Sequence, residues 1–280
     1  MLKTIRVLLV LFFVAALIGA GVLFYVNYTR TDISKPTIVS DVDHLELSVT
    51  ADKAELRKGL RAYDNVDGDI TDRIMVRSIS QFTDPEQAEF RVPYIVFDNA
   101  SNYTTYERTA RYTDYTHPRF HMSKPLVFNV GETVSFLDRI SATDCIDGNI
   151  TGRMALTESN VSNNVPGSYR ALISVTNRMG DAVSLPLTVL VVNQTAAAPK
   201  IVLKDYLIYV SVGDSPDYRS YLSSLNDPLD DSGSSIPLRN AKIASSGVDT
   251  STPGVYDVYY YFTGLSGETA TAILTVIVEE

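Results

Sequence analysis

The chain has 280 residues, 45% of them apolar and 20% charged, with a formal net charge of -9 and a pI near 4.9. An acidic balance argues against nucleic acid or an anionic membrane surface as ligand, since both call for a basic face. The single cysteine, Cys145, excludes an intrachain disulfide, so each folded module is expected to be held by its apolar core alone.

The first element is an uncharged, almost wholly apolar run from Val7 to Val26. As a helix, about 20 residues at about 1.5 Å each span the roughly 30 Å hydrocarbon core of a bilayer. Lys3 and Arg6 precede it and a long acidic segment follows, so the positive-inside rule places residues 1–6 in the cytoplasm and the bulk outside the cell. The competing reading is a cleaved signal peptide, whose apolar region is usually about 7 to 15 residues and ends at a small-x-small site. Here Gly19, Ala20 and Gly21 are followed by Val22, Leu23 and Phe24, which favours an uncleaved signal anchor over residues 7–27.

Beyond the anchor one passage occurs twice, about eighty residues apart: Asp64-Asn65-Val66-Asp67-Gly68-Asp69-Ile70-Thr71 and Asp144-Cys145-Ile146-Asp147-Gly148-Asn149-Ile150-Thr151. A third, eroded copy is Asn226-Asp227-Pro228-Leu229-Asp230-Asp231-Ser232-Gly233. The flanking landmarks keep step. Each module opens at a proline, Pro36, Pro118 or Pro199, followed by apolar residues. A strand ending at Gly131 or Gly213 comes next, then a segment such as Leu56 and Leu60, or Val134, Leu137 and Ile140, whose spacing predicts one or two helical turns. The strongest strand carries apolar residues two apart: Phe90, Val92, Tyr94 and Val96; Tyr169, Ala171, Ile173 and Val175; Tyr256, Val258, Tyr260 and Phe262. Turn formers over 98–102, 177–181 and 264–268 then link it to a closing strand as a hairpin. Pro186 suggests an edge position for that strand in the second copy.

Short strands between regular turn signals predict an all-β fold: an N-terminal transmembrane helix followed by three tandem immunoglobulin-like β-sandwich domains over 34–114, 116–194 and 197–280. The short linkers predict end-to-end stacking into a rod of order 100 Å. Asp-x-x-Asp-Gly-Asp-Ile-Thr, with an aromatic strand and an Asp-Asn-Ala-Ser-Asn turn some thirty residues later, resembles the bacterial surface immunoglobulin-like repeat, a family found in some crystal toxins and many cell-wall proteins. The resemblance implies stalk, spacer or adhesive modules of a bacterial envelope protein. It implies no enzyme activity and transfers no catalytic residue.

Asp64, Asp67, Asp69, Asp144 and Asp147 are candidate calcium ligands, because hard cations take clustered oxygens. The spacing lacks a full ligand set, and the alternative is that these aspartates cap backbone amides around a Gly-containing turn. Paired carboxylates also suggest glycoside hydrolysis, but a repeat in every copy is more simply structural. His44, His117 and His121 lack a third ligand or a positioned acidic partner for zinc. Cys145 sits beside Asp144, which disfavours a reactive thiolate, and reads as a small turn residue. Tyr259 and Tyr261 fall on the outward face of their strand and are the candidate partner-binding pair, with a module interface as the alternative. Asn-x-Ser/Thr sequons start at Asn27, Asn102, Asn149, Asn160 and Asn193 and would carry glycan only in a eukaryotic host.

The expectation is therefore a non-catalytic, membrane-anchored extracellular stalk, adhesion or scaffold protein. It requires no cofactor, calcium aside, binds no nucleic acid, and takes a cell-surface protein or glycan as partner. The alternatives are a polysaccharide-binding accessory module and an ectodomain subunit of a membrane sensory or transport complex. Because the chain closes at Glu280 without a wall-sorting motif, retention is expected to depend on the N-terminal helix, which makes the third module distal.

Overall fold

The computed structural model describes residues 2–30 and 32–280. Helix α1 (Leu2–Arg30) contains a segment, Lys3–Val26, that is long and apolar enough to cross a membrane, none of it buried against protein. The rest is built mainly from strands, and the chain divides into two compact units, Met1–Thr113 and Asp114–Glu280.

The first unit carries β1 (Thr37–Ser40), β2 (His44–Leu47), β3 (Leu60–Asp64), β4 (Gly68–Asp69), β5 (Met75–Val76), β6 (Phe82–Asp84), β7 (Glu89–Phe97) and β8 (Tyr103–Tyr112). One sheet has the order β1-β3-β4; the other has the order β2-β8-β7-β5, with β6 also on β7. The opening segment thus splits between sheets. β1 pairs antiparallel with β3, and β2 then pairs parallel with β8, His44 opposite Thr109. The alternation in β7 turns Phe90, Val92, Tyr94 and Val96 into the space between the sheets, each fully buried. Every such side chain removed from water contributes about 1.5–3 kcal/mol before entropy is counted.

The second unit repeats the plan twice. Its first half has β9 (Arg119–Met122), β10 (Val127–Asn129), β11 (Ile140–Asp144), β12 (Gly148–Asn149), β13 (Ala155–Ser159), β14 (Gly167–Thr176) and β15 (Ala182–Val192). Its second half has β16 (Lys200–Leu203), β17 (Leu207–Ser211), β18 (Leu222–Asn226), β19 (Lys242–Ala244), β20 (Gly254–Thr263) and β21 (Thr269–Glu279). The sheet orders are β12-β11-β9 with β10-β15-β14-β13, then β16-β18 with β17-β21-β20-β19. The parallel pairing recurs as β10 on β15 and β17 on β21.

The near-helical spacing around Leu56 gives one helical turn, as expected, in the form of a 3-10 turn over Glu55–Arg57; Leu60 and Ile140 already open strands, so the apolar spacing there joins a turn to a strand. Other local features differ from the expectation. β15 is an inner strand, but β10 covers only Leu190–Val192, so at Pro186 the second neighbour is missing and no ladder donor is lost. Finally, the two halves of the second unit do not keep separate cores. Phe120, Leu187, Tyr206, Tyr260 and Leu274 belong to one continuous apolar cluster. β17 and the middle of β21 are consequently buried on both faces, as with Leu207, Ile208, Ile273 and Leu274.

Polar contacts reinforce the joint within this unit. Tyr209 accepts the Phe120 amide on its hydroxyl at 2.8 Å, with the Arg119 guanidinium 4.5 Å from its ring centroid, and Arg119 also pairs with Glu279.

Candidate functional site

The repeated passage forms a turn whose polar side chains each take one job. In the first copy Asp64 Oδ2 accepts the amides of Val66 (2.8 Å) and Asp67 (3.0 Å), closing the turn. Gly68 takes a positive φ of 74°, as Gly148 does at 70°. Asp67 reaches the tip of the β7–β8 hairpin, accepting the Asn99 amide at 2.7 Å and its side-chain amide at 2.5 Å, and pairs with Arg73. Asp69 accepts the Thr71 amide at 2.9 Å, and the Thr71 hydroxyl accepts the Ala62 amide at 3.0 Å. Ile70 then enters the core.

The second copy repeats these contacts with Asp144 on Ile146 and Asp147, Asp147 on the Arg178 amide, and Asn149 on Thr151. In the third, Asp227 alone accepts both the turn amide of Leu229 (3.0 Å) and the hairpin amide of Leu265 (2.6 Å). The amides of Asp67 and Val66 hold the Asp64 carboxyl below the usual carboxylate range, and the Thr71 hydroxyl and amide do so for Asp69.

Among the described residues, no three of these candidate calcium ligands bring oxygens within 4.8 Å of one another. The structure instead joins Asp64 to Asp32 and Asp98, two residues that sequence reading did not select, with one oxygen from each within 4.8 Å of the others. Asp98 opens the β7–β8 turn and is oriented by the Asn102 backbone and side-chain amides, both at 2.7 Å. Asn102 also donates to the Asp32 carbonyl at 3.1 Å, and Asp32 Oδ1 accepts the Ser34 amide at 2.9 Å.

The matching corner of the second copy is closed by donors. Asn177 stands where Asp98 does and donates to Asp144 Oδ2 at 3.0 Å. Asp181 stands where Asn102 does, and it takes the Tyr115 hydroxyl at 2.6 Å and His117 Nδ1 at 2.7 Å. Burial and the Asp181 carboxylate push the Tyr115 phenol up. His117 thus has an acidic partner that lies 64 residues away in sequence, too distant for local reading to find. His121 meets the Thr143 hydroxyl at 2.9 Å. Cys145 is exposed in its turn and exchanges hydrogen bonds with the Thr116 backbone.

Tyr259 and Tyr261 lie on the outward face of β20, half-buried, with rings stacked at 6.3 Å and 8°. On the same face Asp257 accepts the Thr188 hydroxyl from β15 at 2.5 Å. Burial pushes the Asp257 carboxyl up, against the pull of that hydrogen bond. A raised folded-state pKa means a stability contribution present below the unfolded value of about 3.9 and lost as pH rises through the folded one. Asp257→Asn keeps the acceptor for Thr188 and is expected to raise the unfolding midpoint at pH 7, with the gain vanishing toward pH ~3. Thermal scans of the full chain in detergent across that range check it.

No family model matches the chain. The pesticidal crystal protein Cry22Aa of Bacillus thuringiensis is 26% identical over 251 residues, which cover 88% of this chain. The chain spans only 33% of the length of that curated relative. Among solved structures, the Drosophila N-cadherin EC1-3 fragment is 13% identical with a TM-score of 0.30, covering 85% of this chain and 98% of that one. CBM51-2 with the INT domains of Clostridium perfringens ZmpB is 18% identical with a TM-score of 0.23, covering 54% and 26%. TM-scores this low say nothing of shared function. The sheets themselves, with the Cry22Aa similarity, put the chain in a β-sandwich repeat class.

Proposed function

We propose that the chain is a single-pass membrane protein, N-terminus in the cytoplasm, carrying three immunoglobulin-like domains outside the cell as a non-catalytic stalk or adhesion and scaffold component. The observation that carries the reading is an apolar helix whose Lys3–Val26 span is exposed throughout, followed by the same two-sheet plan three times over. Domain limits of 34–114, 116–194 and 197–280 fit that recurrence, although the last two share a core. The commitment of Asp67, Asp147 and Asp227 to hairpin amides supports a structural rather than an acid–base use of the repeated carboxylates. Tyr259 and Tyr261 are the proposed contact for a cell-surface protein or glycan.

The test is membrane retention together with binding. The full chain, tagged at its N-terminus, is expected to stay with membranes after alkaline washing and to lose its bulk, but not its tag, to protease added outside intact cells. Release of a shortened chain into the medium would point to a cleaved signal instead. Detergent-solubilised full chain is expected to bind intact cells or isolated envelope polysaccharide, and Tyr259→Ser with Tyr261→Ser to abolish that binding. Equal binding by the double variant would remove the tyrosine pair from the proposal.

A further inference from the structure

We propose that Asp32, Asp64 and Asp98 form a calcium site at the edge of the first sandwich, where the chain leaving α1 meets the β7–β8 turn. Two independent observations meet there. The first is the approach of three carboxylates within 4.8 Å; among the described residues none of the three forms an ion pair. The second is Asp64 itself, which is 8% exposed and whose Oδ1 is buried without any hydrogen-bond partner. A buried carboxylate oxygen left bare costs desolvation that nothing in the protein returns.

The second copy shows which way that oxygen faces. There one oxygen of Asp144 closes the turn and the other receives the side-chain amide of Asn177. In the first copy Oδ2 closes the turn, so Oδ1 faces the Asp98 position, where the donor has been replaced by a third carboxylate. The third copy has Gly264 at that position, where even a Cβ would come within 2.7 Å of Asp227 Oδ2. Carboxylate, amide and no side chain thus occupy one structural position in turn, and only the carboxylate leaves a buried oxygen bare.

The donor chemistry selects the ion. All three groups offer hard oxygen, which suits calcium and disfavours zinc, which prefers nitrogen and sulfur. Calcium–oxygen bonds of about 2.3–2.6 Å allow ligands of one ion to stand up to about 5 Å apart, and the three carboxylates lie within 4.8 Å of one another. Magnesium needs about 2.0–2.1 Å and strict octahedral geometry, and it sheds water reluctantly. The Asn102 amides orient the Asp98 carboxylate, and the Asn102 side chain also holds the Asp32 backbone carbonyl in place. A bound ion would fasten residues 32–34, just beyond α1, to the body of the first sandwich. Filling of the site outside a cell rests on the exported placement proposed above; binding by the purified chain does not.

Full-length protein in detergent, stripped of divalent ions, would be titrated with calcium chloride and separately with magnesium chloride by calorimetry. Its unfolding midpoint would be followed in parallel. One calcium site with a Kd of about 10⁻⁴–10⁻³ M is expected, with magnesium weaker. Asp98→Asn and Asp32→Asn should each weaken calcium at least about tenfold. In chelator, Asp98→Asn should unfold no earlier than wild type, since it installs the amide that Asn177 supplies in the second copy; this separates lost binding from lost folding. Absence of heat and of any midpoint change up to about 10 mM calcium, or calcium binding unchanged in both variants, would overturn the assignment.

Discussion

Replacement of Arg108 by alanine is expected to destabilise the first unit by about 3–5 kcal/mol. Arg108 lies on β8 opposite Val92 and is 2% exposed, in the middle of an apolar core. A guanidinium can be buried only where each N–H finds an oxygen. Here the 3-10 turn ending at Arg57 supplies them: Arg108 donates to the Leu56 carbonyl at 2.7 Å and the Lys58 carbonyl at 2.8 Å. It also donates to the Tyr94 hydroxyl at 2.9 Å, which itself donates to the Leu56 carbonyl, and it covers the Tyr94 ring at 5.0 Å. Alanine would leave the Lys58 carbonyl without its donor and the Leu56 carbonyl with the Tyr94 hydroxyl alone, and would open a cavity, so the polar and packing losses add. Leucine separates them. In the same register the other copies have Leu187 opposite Ala171 and Leu274 opposite Val258. Arg108→Leu should therefore recover the packing part and leave a loss of about 1–3 kcal/mol. Urea unfolding of the full chain, read at the transition of the first unit, checks both; equal losses for the two variants would mean that packing plays no part.

The case of Arg108 also shows what the sequence could and could not reveal. Period-two alternation located β7, β14 and β20, because one face of each is covered and the side-chain period of a strand is two. The same parity points Arg108 inward, but a charge at an inward position reads as a break in the pattern until the carbonyls that receive it are seen, and those lie 50 and 52 residues away. The corner of Asp32, Asp64 and Asp98 was hidden for a related reason. Only Asp64 lies in the repeated passage; its partners come from the segment after α1 and from a hairpin turn, which the fold alone brings together. The shared core of the second unit did leave a signal. Ala270 to Val278 is nearly continuous in apolar residues, and Leu207 and Ile208 are adjacent, which is the pattern of strands covered on both faces rather than one.

The second large effect is expected at the second aspartate of the repeated passage, where Asp147→Ala should cost about 2–3 kcal/mol. The Asp147 side chain is 4% exposed and accepts the Arg178 amide at 2.7 Å, with Arg153 and Arg178 paired to it. Those arginines are 48% and 62% exposed, so solvent screens the ion pairs and the buried hydrogen bond to the hairpin carries most of the loss. Burial opposes ionisation of Asp147, but the Arg178 amide and Arg153 outweigh it and hold the carboxyl below its usual range. A lowered folded-state pKa gives stability that is present above the unfolded value of about 3.9 and is lost as pH falls through the folded one. Wild type and Asp147→Ala should accordingly differ at pH 7 and converge in acid, a comparison that also removes effects of the substitution on the unfolded chain. At pH 7 Asp67→Ala should cost a similar amount, because Asn99 takes the place of Arg178, whereas Asp69→Ala loses only an exposed turn bond and should cost far less. A difference at pH 7 that persisted undiminished into acid would assign the loss to packing. The repeat would then owe its second aspartate to shape, not to the hydrogen bond that ties the last hairpin of each copy to its turn.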